Sequence, residues 1–101
     1  MSRMLGMLGL CARAGALVTG EKACIQQIRA GKARAAVLHG AASENAVKAV
    51  GQACDTHGVP LVRTGAFQMG DAIGKPSRMA AVVTEPGLAA RVTEIARSQN
   101  T

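Results

Sequence analysis

Apolar positions along the chain recur at two different spacings, and the switching between them predicts the elements. Over residues 1–14, Met4 or Leu5, Leu8, and Cys11 or Ala12 return every three or four residues, the repeat of one helical face. Arg13 in the last turn and Gly15 just past it form a helix stop. Leu17, Val18 and Thr19 are a brief, partly β-branched extended run, and Gly20 lets the backbone turn. The period then becomes helical again. Ala23, Cys24, Ile25 and Ile28 give an apolar side, while Lys22, Gln26 and Arg29 hold the opposite, solvated side. Thr19 or Gly20 can cap this helix, and Glu21 sits in its first turn, where the dipole favours a carboxylate. Gly31 closes it as the residue after the C-cap.

Residues 35–39, AAVLH, show no polar alternation, which predicts a strand buried on both faces. Ser43 caps a helix running to about Thr56, with Glu44 in its first turn and Val47, Val50, Ala53 and Cys54 on its core side. Residues 59–63, VPLVR, read as a second strand, with Pro60 suited to its start. A short helix containing Phe67, Met69 and Ile73 is expected over residues 65–74, then a basic loop over residues 75–78. Residues 79–84, MAAVVT, are a further apolar strand. Glu85-Pro86 opens a last helix, with Leu88, Val92 and Ile95 inward, Arg91 and Arg97 outward, and fraying over residues 98–101. Strands alternating with helices predict a sheet covered by helices, an α/β sandwich. No repeat, linker or low-complexity tract divides residues 1–101, so one domain is expected.

Composition narrows the function. Of 101 residues, 49% are hydrophobic, yet Phe67 is the only aromatic, so stacking of unpaired bases on aromatic rings is excluded as a main device. The formal net charge is +6, and it is unevenly spread. Residues 1–34 hold Arg3, Arg13, Lys22, Arg29, Lys32 and Arg34 against Glu21 alone, whereas the remainder is nearly balanced. A polyanion is the simplest partner for such a segment. The glycine junction at Gly20 also leaves helix N–H groups beside Lys22, Gln26, Arg29, Lys32 and Arg34, a combination suited to phosphates and base edges. The competing class is a protein-interaction module that turns the same basic face toward an acidic partner.

Catalytic chemistry finds no footing. His39 and His57 stand alone at element ends, the carboxylates are dispersed, and no GxGxxG, Walker A or HExxH pattern occurs. Cys11, Cys24 and Cys54 are widely spaced without a CxxC, which predicts reduced, structural thiols and no metal site or cofactor. With no secretory pattern and no apolar run of membrane-spanning length, a cytoplasmic protein is expected.

The order helix, GALVTGE, helix, RAGKARAAVL, ASEN, helix, VPLV, MGDAIGK, AAVVT resembles the kink-turn-binding ribosomal proteins, the L-seven-Ae and L-thirty-e group, and within it the small bacterial members of the YlxQ type. The likeness spans about residues 3–96. It implies a three-layer α/β/α sandwich around a four-stranded mixed sheet, with Leu17 to Thr19 as the extra short strand. It also implies non-catalytic binding of structured RNA, kink-turn-like or internally looped, in a ribosomal or RNA-maturation ribonucleoprotein, by a protein monomeric off RNA. Carried over by position, the RNA contacts are Gly20, Glu21, Lys22, Ala23 and Gln26, with help from loops at residues 39–42 and 75–79, which include His39, Lys75, Ser77 and Arg78. Members that bind kink-turns show Asn-Glu followed three positions later by Lys. Here those places hold Lys22, Ala23 and Gln26, so a carboxylate that could accept from guanine and one fixed charge are missing.

Overall fold

The computed structural model describes residues 3–39, 42–63 and 80–99. Along them run α1 (Arg3–Arg13), β1 (Leu17–Thr19), α2 (Glu21–Arg29), β2 (Ala35–Leu38), α3 (Glu44–His57), β3 (Leu61–Arg63), β4 (Ala80–Val83) and α4 (Pro86–Gln99). The helix expected over residues 65–74 and the basic loop over residues 75–78 lie outside the described residues.

The strands form one sheet in the order β1-β4-β2-β3. β4 pairs antiparallel with both β1 and β2, and β2 pairs parallel with β3, so the sheet is mixed. Leu17, Val83 and Ala35 stand in one row across it, and Val18, Val82, Ala36 and Leu61 in the next. Since side chains alternate along a strand, successive rows serve opposite faces. Leu17, Ala35, Val37, Val62, Ala81 and Val83 pack with Met4, Leu8, Cys11, Val92 and Ile95 of α1 and α4. Val18, Ala36, Leu38, Ala80 and Val82 pack with Cys24, Ile28, Val50 and Cys54 of α2 and α3. The result is the three-layer sandwich, with a separate apolar cluster on each side of the sheet. β2 and β4 are buried at every position, as their unbroken apolar runs predict.

Local chemistry explains where elements stop. α1 ends at Gly15 (φ 72°) and α2 at Gly31 (φ 75°). After each, two backbone N–H groups turn back to the last carbonyls. Gly31 and Lys32 donate to Ile28 and Gln27 at 3.1 and 3.0 Å, and Gly15 and Ala16 donate to Ala12 and Cys11 at 3.1 and 2.9 Å. α3 runs one residue past Thr56, through His57, before the left-handed Gly58. β3 begins at Leu61, two residues later than the hydrophobic run. Pro60 has no N–H to give the ladder, although its carbonyl accepts from Ala36 at 2.9 Å. α4 continues through Gln99, past the point where fraying is expected.

Ser43 caps α3 as expected, its hydroxyl accepting from the Ala46 N–H at 3.2 Å. The cap of α4 is less expected. Both carboxylate oxygens of Glu85 accept first-turn N–H groups, from Gly87 at 3.1 Å and Leu88 at 2.6 Å. These bonds, the one from Leu88 first, hold the Glu85 carboxyl below the usual carboxylate range.

Candidate nucleic-acid interface

β1, β2 and β3 run the same way, and β4 runs against them. One end of the sheet therefore collects the exits of β1, β2 and β3 and the entry of β4. Gly20 follows β1 there, and its N–H donates to the Ala80 carbonyl at 3.0 Å, which ties the start of α2 to the first residue of β4. Leu38 pairs with Ala80 from the other side, so His39 leaves β2 at the same end. Gly20 and His39 thus flank β4 at two strand spacings, about 10 Å. α2 and α3 both start at this end, because each follows a strand that exits there. Two helix N-termini, each carrying roughly half a positive charge, are directed to one side of the molecule.

Gly20 is the pivot. It caps α2 at φ 96° and ψ 140° with no side-chain hydrogen bond to the first turn. Its carbonyl accepts from Cys24 at 2.9 Å, which starts the helical ladder. The N–H groups of the first turn before Cys24 point outward beside Glu21, Lys22 and Gln26, all exposed. Lys22 and Gln26 are separated by one turn on the same strip of surface, and Cys24 and Ile28 anchor the opposite face in the core. The Cys24 thiol also donates to the Val18 carbonyl at 3.5 Å, clamping the helix start to β1. This arrangement can receive a phosphate at the helix N-terminus and a base edge at the Lys22–Gln26 strip.

The sequence-predicted basic residues do not all gather here. Arg29, Lys32 and Arg34 are exposed but sit at or just beyond the other end of α2, nine residues long. That separates them from Gly20 by about 13 Å at roughly 1.5 Å per residue. The Arg34 N–H donates to the carbonyl of Val83, the last residue of β4, at 2.8 Å, fixing it at the far end of the sheet. His39 is buried, 8% exposed, so little of it is open to a ligand. Lys75, Ser77 and Arg78 are outside the described residues. Arg63, at the exit of β3 beside Leu38, belongs to the Gly20 end although the sequence pattern marks it only as a strand residue. Only the strand order reveals its position.

Among the described residues no cluster of three or more His, Cys, Asp or Glu is placed to hold a metal ion, and no helix is long and apolar enough to cross a membrane. Cys11, Cys24 and Cys54 are buried and unbridged. Burial pushes the thiols of Cys11 and Cys54 up.

The model of the ribosomal protein L7Ae/L30e/S12e/Gadd45 family matches residues 2–93. RNA-binding protein YlxQ of Bacillus subtilis (strain 168) is 33% identical over 90 residues, covering 88% of this chain and 90% of that protein. RNA-binding protein YlxQ of Enterococcus faecium is 32% identical over 94 residues, covering 92% and 90%. A solved structure of a protein of unknown function from Bacillus halodurans C superposes with a TM-score of 0.90 at 28% identity, covering 96% of this chain and 99% of that one. The Giardia lamblia 15.5kD RNA binding protein superposes at 0.75 over 94% of this chain and 82% of its own; at 24% identity that likeness speaks for the fold alone. With nearly its whole length matched by the family model and by relatives above 30% identity, the chain belongs to the ribosomal protein L7Ae/L30e/S12e/Gadd45 family.

Proposed function

We propose that the protein binds structured RNA, without catalysing a reaction, through the end of the sheet where β1 hands over to α2. The observation that carries this reading is the Gly20 junction, which aims the first-turn N–H groups of α2 outward beside exposed Lys22 and Gln26. The family and the two relatives named as RNA-binding proteins support it. The RNA is bent or internally looped, of the kink-turn kind. The setting is a ribosomal or RNA-maturation ribonucleoprotein in the cytoplasm, and the protein is monomeric off RNA. Lys75, Ser77 and Arg78 belong to the same site in this reading, with His39 bordering it.

Lys22 and Gln26 set the expected selectivity. Lysine is a point charge that holds phosphate with little base discrimination, and a Gln amide pairs most naturally with adenine. The protein therefore separates an intact kink-turn from one with replaced G·A pairs less sharply than a variant carrying Lys22→Asn, Ala23→Glu and Gln26→Lys. Each base contact is worth about 1–3 kcal/mol of discrimination. Titration of both proteins against both RNAs by fluorescence anisotropy tests this. Equal discrimination by parent and variant rejects the selectivity, and binding that is absent or indifferent to salt rejects the RNA reading itself.

A further inference from the structure

Four of the six basic residues in the first 34 positions lie at the end of the sheet away from Gly20. Arg13 closes α1, Arg29 closes α2, and Lys32 and Arg34 occupy the turn into β2; all four are exposed. The backbone holds them in order. Arg34 donates to Val83, the next residue Thr84 donates to Ala16 at 2.9 Å, and Ala16 donates back to Cys11 in the turn that follows Arg13. The segments entering β1 and β2 therefore flank the exit of β4 at two strand spacings, about 10 Å. Arg29 and His57 also share the far part of a groove of about 310 Å³ between α2 and α3.

Among the described residues two acids lie at this end, Asp55 and Glu85. The Glu85 carboxylate is occupied by the first-turn N–H groups of α4. The surroundings are small residues, Ala14, Gly15, Ala30, Gly31 and Gly58, all exposed. Protein interfaces rely on large buried anchors, whereas glycine turns flanked by cations admit a sugar-phosphate backbone closely. The exposed Leu10 of α1 is a single side chain and not a patch.

We propose that Arg13, Arg29, Lys32 and Arg34 form a second phosphate-binding surface, which holds a continuation of the same RNA running along the protein past α2. The inference rests on the RNA-binding reading. It adds that contact is made at both ends of the sheet, the Gly20 end selecting the RNA and the far end adding affinity through charge alone.

The test uses two probes with one internal loop. In the first, neither stem exceeds the roughly 13 Å that separates Gly20 from Arg29 along the nine residues of α2, so a stem leaving the loop stops short of the far end. In the second, the same loop is flanked by stems extended on both sides. The combined Arg29→Gln, Lys32→Gln, Arg34→Gln variant should match the parent on the short probe within about twofold and lose about tenfold on the long one. Its salt slope on the long probe should drop by roughly two to three, near 0.7–0.9 for each lost phosphate contact. Arg29→Lys with Arg34→Lys keeps the charges and should bind both probes as the parent does. If the triple variant melts early, Lys32→Gln with Arg34→Gln, both outside any helix, carries the same comparison with a smaller loss. Unchanged binding of the long probe overturns the second surface and leaves the RNA reading intact. Equal weakening on both probes also overturns it, by placing these residues in the first site. A parent that binds neither probe overturns both.

Discussion

Replacing Gly20 by alanine should damage the protein more than its half-buried position suggests. The residue sits at φ 96° and ψ 140°, in the part of backbone space that only glycine occupies at ease. It cannot relax, because its N–H is held by Ala80 and its carbonyl by Cys24. Forcing a side chain there costs about 1–3 kcal/mol. The reduced freedom of the unfolded chain returns about 0.4–1 kcal/mol. The net loss therefore centres on about 1.3 kcal/mol and reaches at most about 2.6 kcal/mol, with a fall in Tm of about 4–8 °C per kcal/mol in a domain of this size. Asparagine separates this cause from others. It is tolerated in the left-handed helical region, so Gly31→Asn should recover much of what Gly31→Ala loses. At Gly20 the large ψ lies outside that region, and Gly20→Asn should be as costly as Gly20→Ala. Thermal melts followed by circular dichroism report the four variants. RNA titration well below each melting point then shows whether the junction geometry also sets affinity. The reasoning fails if Gly20→Ala melts with the parent, or if Asn is accepted at Gly20 as readily as at Gly31.

Glu85→Gln should lower stability at neutral pH and flatten its acid dependence. A carboxyl whose folded pKa is depressed stabilises the fold above its ordinary value and loses that contribution as pH falls through the lowered one, so parent and variant melts should converge in acid. Leu38→Ala should cost about 2–5 kcal/mol, because Leu38 is fully buried in the α2–α3 cluster, and chemical denaturation would expose an error if the loss were under about 1 kcal/mol. Cys11 and Cys54, buried with raised thiol pKa values, should react slowly with a thiol reagent in the folded protein and rapidly in denaturant. Equal rates in the two states would show that they are not structural.

The local elements were legible because each residue run carries its own period. Met4, Leu8 and Cys11 mark one helical face, and AAVL and AAVV mark strands with no wet side. Boundaries moved where one backbone group decides them, as at Pro60. The Glu85 cap escaped because Glu is not among the side chains that usually cap a helix. The site was only half legible. Lys22 and Arg34 are close in sequence and share a sign of charge, which grouped them; α2 and the Gly31 reversal place them at opposite ends of the sheet. Arg63 approaches the Gly20 end through the β2–β3 register, a pairing that nothing in VPLVR announces.

The position of β4 bears on how the chain is made. β1 has β4 as its only partner in the described sheet, and β4 also joins β1 to the β2–β3 pair. As synthesis proceeds from the N-terminus, the first 63 residues can align β2 with β3 but leave β1 without a neighbour. Residues 80–83 must then insert between two strands already made, and α1 gains its neighbouring helix only when α4 emerges. Much of the apolar surface on the α1 face therefore stays open until the chain is nearly complete, an interval in which a nascent chain is vulnerable to aggregation. The same long-range closure predicts slower folding than for a helical bundle of equal length. Loss of the last helix by early termination should leave a product that cells degrade rather than a smaller working domain.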